Sequence, residues 1–148
     1  MKGKTHVLSG FILGTALCAK LDIAAPVMIS CMLGSLFPDT DHRQSLLGRG
    51  IPLWLFIKPH RNNILHSLAG LGIMSVVWAL ITMSLAHALG FAGGYLAHLT
   101  LDTMTKSGIR WLWPDKRRFS LWAYVKGASE LIILFIFYTI VIATISIL

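Results

Sequence analysis

The chain has 148 residues, 55% of them apolar and only 13% charged, with a mean hydropathy of +0.72. Soluble domains average about 25% charged residues, so this composition excludes an ordinary soluble enzyme. It points to one integral membrane domain spanning 1–148. The formal net charge of +7 does not indicate a nucleic-acid partner, because no soluble basic domain or stacking platform accompanies it. The basic residues are expected to set topology and to meet the lipid bilayer.

A first helix is expected over about 5–20. Its basic start, Met1-Lys2-Gly3-Lys4, and the apolar run 7–19 have the outline of a secretory signal. However, Leu17 stands before Cys18, where a lipoprotein signal has a small residue. His6, Gly10 and Gly14 recur every four residues, giving one helix face with a Gly-x-x-x-Gly packing stripe. A retained helix is therefore expected. Lys20 and Asp22 turn the chain into a second short helix over about 23–37, with Pro26 in its first turn. Both helices are short for a hydrocarbon core of roughly 30 Å.

The second segment ends in Phe37-Pro38-Asp39-Thr40-Asp41-His42. Two carboxylates so close repel unless a cation neutralises them, and a divalent ion or Arg43 can do so. Residues 43–58 include an apolar stretch, 51–57, that is too short to span and reads as interfacial. Then His60-Arg61-Asn62-Asn63-Ile64-Leu65-His66-Ser67 is expected to open a third helix, with Pro59 at its first position. Six residues rotate a helix by about 600°, so His60 and His66 point in different directions. His66, the deeper, is the better candidate ligand. His60 and Arg61 suit the mouth, where the forked donors of Arg61 favour a planar anion such as phosphate.

The run 64–101 contains no Lys, Arg, Asp or Glu and is too long for one span. A helical hairpin bending near 86–92 is expected, around Gly90, Gly93 and Gly94. At its far end His98 and Asp102, four apart, face the same way, whereas His87 falls at the opposite end of the bundle. The basic, Trp-rich stretch 106–126 reads as a second interfacial segment, and 129–148 as a C-terminal transmembrane helix.

The expected fold is thus an all-α polytopic membrane bundle of about five helices, the first two short, plus interfacial segments. With an inside amino end and five crossings, twelve of the thirteen Lys and Arg fall on one side and only Lys20 on the other. The positive-inside rule makes that side cytoplasmic. His6, Asp39, Asp41, His42, His60, His66, His98 and Asp102 all lie on it. Mixed imidazole and carboxylate donors suit Zn²⁺, and also Mn²⁺ or Fe²⁺.

These residues resemble a family of small bacterial inner-membrane proteins, the YdjM type, described as metal-dependent hydrolases. The resemblance covers about 5–114. It rests on Thr5-His6 with Gly10, Pro38-Asp39-x-Asp41-His42, His60-Arg61 with His66-Ser67, and Gly94-x-x-x-His98-x-x-x-Asp102-x-x-Thr105-x-x-Gly108 with Pro114. The family is in turn distantly similar to the zinc-dependent phospholipase C and P1 nuclease group. The resemblance implies metal-ligand roles for His6, Asp39, His66, His98 and Asp102, with Asp41 counted beside them, and one to three ions. Glu130, the only glutamate, lies outside these motifs.

The function expected is a metal-dependent hydrolase at the cytoplasmic face of the bacterial inner membrane. It would act on a phosphoester, lipid-linked or free, through metal-activated water. Asp41 or His42 would serve as general base, and His60 or Arg61 would hold the substrate anion. The alternative is a non-catalytic membrane protein that binds or transports metal with the same ligands.

Overall fold

Apolar runs punctuated by capping residues build an all-helical chain in the computed structural model, which describes residues 3–21, 26–50, 63–121 and 128–147. Five α-helices follow in order: α1 (Gly3–Leu21), α2 (Pro26–Leu36), α3 (Leu68–Thr82), α4 (Leu85–Thr103) and α5 (Ala128–Ile147). Two short 3-10 turns accompany them: Phe37–Asp41 follows α2, and Ile64–His66 precedes α3. Among the described residues no strand forms; Ile109 and Phe119 pair only as an isolated antiparallel bridge.

α4 lies at the centre, packed on α2, α1 and α3, while α5 rests on α1. Glycine sets how closely α2 approaches α4 and α1. A Cβ on Gly94 would land on the carbonyl of Cys31, and one on Gly34 would land on the carbonyl of Phe91. The α2 and α4 backbones therefore touch, as small residues permit. The stripe expected on α1 has the same use: a Cβ on Gly10 would strike the side chain of Ser35.

The hairpin bends earlier than 86–92. The chain turns at Met83, which adopts φ 49°, and Ser84, whose hydroxyl accepts the His87 N–H at 3.5 Å. Ser84 is an N-cap, while Gly90 and Gly94 belong to the helix interior and its contact with α2. The third helix likewise starts later than expected, at Leu68 rather than near Pro59. Ser67 is extended and takes the N–H of Gly70, and the Asn63 side chain takes that of Leu65. Residues 51–62, which include the interfacial stretch 51–57 together with His60 and Arg61, lie outside the described residues, as do 122–127.

The segment read as interfacial is partly core. Ile109 is fully buried with Phe91, Tyr95 and Leu99, and Trp111 packs against them. The Trp111 indole donates to Thr103 at 2.8 Å, and its carbonyl accepts from Leu68 N–H at 2.9 Å. Leu112, Trp113, Phe119 and Leu121 stay exposed.

Polarity runs inside-out. Ile73, Val76, Leu80 and Ile81 on α3 and Ile132, Ile136 and Ile140 on α5 are exposed, while His, Asp, Ser and Thr side chains are buried. Among the described residues, no helix is long and apolar enough to cross a membrane. α2 has only 11 residues, about 16 Å at 1.5 Å per residue. α4 carries His87, His98 and Asp102 along its length. Helix length therefore lends no support to the five crossings read from the sequence.

Candidate metal centre

Four elements deliver the polar side chains to one end of the bundle. α1 brings His6, the turn Phe37–Asp41 brings Asp39 and Asp41, the turn Ile64–His66 brings His66, and α4 brings His98 and Asp102. His6, His66, His98 and Asp102 are each 0% exposed, and Asp39 only 9%. The first 3-10 turn begins at Phe37 with Pro38 in its opening positions, and Pro38, Asp39, Thr40 and Asp41 are all buried.

Contacts centre on the imidazole of His98. Its Nδ1 donates to the Ser35 carbonyl at 2.7 Å, which leaves Nε2 as the ligand atom. That Nε2 lies 3.7 Å from Asp39 Oδ1 and 3.6 Å from Asp102 Oδ2. His66 Nε2 stands 3.9 Å from Asp39 and 3.8 Å from Asp102, and His6 Nε2 stands 3.5 Å from Asp102. The His6 and His98 rings stack at 3.9 Å. Two trios, His6–Asp39–His98 and His66–His98–Asp102, each bring their ligand atoms within 4.8 Å of one another.

Asp41 sits one step out. Its carboxylate receives Asn63 Nδ2 at 2.6 Å and lies 3.5 Å from His66 Nδ1, and it belongs to neither trio. Asn63 meanwhile accepts from Leu65 N–H at 2.9 Å, so one side chain ties the two 3-10 turns together. Burial works against a charge on His66, but the carboxylates of Asp39 and Asp41 outweigh it and raise its pKa to about 9. For Asp39 burial is again the largest influence. The imidazoles of His98 and His66 overcome it and hold the carboxyl well below its usual range.

The donor set fits a divalent ion. Both ring nitrogens of His6 and Nε2 of His98 are buried without a hydrogen-bond partner. Each such atom costs roughly 1–3 kcal/mol, and coordination would satisfy it.

The six ligands expected from the sequence are thus brought together. His42 is not with them: it is exposed at the end of its turn, with Nδ1 accepting from Gln44 N–H at 3.3 Å. His60 and Arg61, expected to hold substrate, lie outside the described residues. His87 stands half-buried in the first turn of α4, away from the cluster, as expected. Asn63 and the Ser35 carbonyl were not anticipated. Asn63 carried a signal in its capping position, whereas a backbone carbonyl carries none.

The sequence profile of the family described as YdjM inner membrane protein matches residues 1–147. The chain belongs to that family. It is 32% identical over 134 residues to the Bacillus subtilis protein YvsG, covering 87% of this chain and 83% of the relative. It is 31% identical over 140 residues to the inner membrane protein YdjM of Escherichia coli K12, covering 82% of this chain and 69% of the relative. The Shigella flexneri YdjM protein gives the same figures. No solved structure matches the chain. The family membership agrees with the resemblance drawn from the motifs, and the group of zinc-dependent phospholipases is not among these relatives.

Proposed function

We propose that the chain is a metal-dependent hydrolase embedded in the bacterial inner membrane, acting on a phosphoester at the cytoplasmic face. The observation that carries this reading is the buried cluster of three imidazoles and two carboxylates around His98 Nε2. Both trios run through that one nitrogen, and one lone pair holds one ion. The arrangement therefore favours a single Zn²⁺, with Mn²⁺ or Fe²⁺ as the other metals such donors take. Either trio, His6–Asp39–His98 or His66–His98–Asp102, would supply three ligands to it and leave a position for water. When bound, such an ion acts as a Lewis acid on the phosphoryl oxygens and lowers the pKa of water.

Asp41 would serve in proton transfer. It lies beside the ligands yet outside both trios, and Asn63 fixes its carboxylate. That reading prefers Asp41 over the exposed His42 as general base. The role of His60 and Arg61 as anion holders rests on their chemistry.

Membrane embedding is supported by the inside-out polarity and by the name of the family. The cytoplasmic, multi-pass orientation rests on the twelve-to-one distribution of Lys and Arg. Purified protein should hydrolyse a panel of phosphoesters, lose that activity to a chelator and regain it with Zn²⁺ or Mn²⁺. Metal-loaded protein inert toward every phosphoester would leave the non-catalytic metal-binding alternative. A reporter fused after residue 108 should behave as cytoplasmic.

A further inference from the structure

A second feature lies across α1 from the metal cluster. Lys4, Val7, Leu8 and Phe11 of α1, Met32 of α2 and Leu46 of the turn after Asp41 line an open groove of about 500 Å³. That volume falls within the roughly 300–1,000 Å³ of small-ligand pockets. The three wall residues from α1 beside Lys4, together with Met32 and Leu46, are apolar, and among the described residues lining the groove Lys4 is the one charge. Lys4 stands exposed in the first turn of α1, two residues before His6, so the charged end of the groove is the end of the bundle that carries the cluster.

An apolar trough with one cation at its head matches a single hydrocarbon chain bearing an anionic headgroup. Water is a poor occupant because the walls offer it too few polar partners. A zwitterionic lipid would fill the trough equally well but would gain less from Lys4. We infer that this groove binds one chain of a lipid phosphate, acyl or isoprenyl, with the phosphate against Lys4. α1 separates that phosphate from the buried cluster, so the groove is a lipid-phosphate site beside the metal centre and distinct from it.

The test is binding, independent of turnover. Native mass spectrometry of the detergent-purified full chain is run with a monoacylglycerol phosphate and, in parallel, with the choline ester of the same chain. The native protein should retain one molecule of the phosphate at least about tenfold better than the choline ester. Leu8→Trp and Leu46→Trp, which would fill the groove from two of its exposed lining positions, should each reduce retention about tenfold while the melting temperature stays near native. Lys4→Gln should lower retention of the phosphate about tenfold, to the level of the choline ester. Equal retention by the filled variants, or no phosphate preference in the native protein, would overturn the groove assignment.

Discussion

His98 turns its Nδ1–H onto the carbonyl of Ser35 at 2.7 Å, and this bond links a backbone position in α2 to the centre of the buried cluster on α4. It fixes the ring orientation and leaves Nε2 facing Asp39 and Asp102. The bond exists because α2 and α4 approach as closely as Gly34 and Gly94 allow. Helix packing and site geometry are therefore one property.

Gly94→Ala should show that coupling. The added Cβ would meet the Cys31 carbonyl, so the helices must separate. Overpacking of this kind costs about 1–3 kcal/mol. Both the thermal midpoint and the bound metal should fall, measured by melting in detergent and by metal analysis. Metal retained at the native level would break the link between the crossing and the site.

Asn63→Ala should destabilise the protein by about 1.5–3 kcal/mol, the range for a hydrogen bond to a charged group. The substitution removes the Asn63 donor from Asp41 and leaves the Leu65 N–H without its side-chain acceptor. Metal content should change little, since Asn63 offers no ligand to either trio. Chemical or thermal unfolding of the variant measures the cost directly.

Asp41→Asn should keep the metal and the fold yet lower phosphoester turnover about 10²-fold or more, the contribution typical of a positioned general base. Asparagine keeps the shape and loses the basic lone pair. Undiminished turnover would remove Asp41 from the chemistry, and loss of metal would make it a ligand.

Metal affinity should rise with pH. In the metal-free protein the His66 pKa is raised from 6.5 to about 9, so an ion must displace a proton from it below that pH. The apparent affinity should therefore gain about tenfold per pH unit from this group and level off near pH 9. The metal-free fold behaves oppositely. A raised pKa contributes stability that is complete below 6.5 and is lost as pH climbs through about 9. Titrations of metal binding and of melting temperature across this window check both signs.

Much of the site was legible because its residues lie at the ends of apolar segments, where acids and imidazoles are costly without a purpose. His98 and Asp102 needed only helical spacing. The bend at Met83 was not legible, since Gly90, Gly93 and Gly94 look like turn residues until their role in close packing is known. His66 was expected on a helix but sits on a 3-10 turn, because Asn63 and Ser67 side chains take backbone N–H groups first. Ile109 and Trp111 looked interfacial by composition, yet their contacts with Phe91 and Leu68 are long-range and leave no local pattern.

Metal analysis of the detergent-purified protein tests the central claim most directly. About one Zn, Mn or Fe per chain is predicted for the native protein, falling below about a tenth of that in the His98→Ala, Asp102→Ala double variant. Equal metal in the two proteins, or none in the native protein after metal-replete growth, would contradict the account.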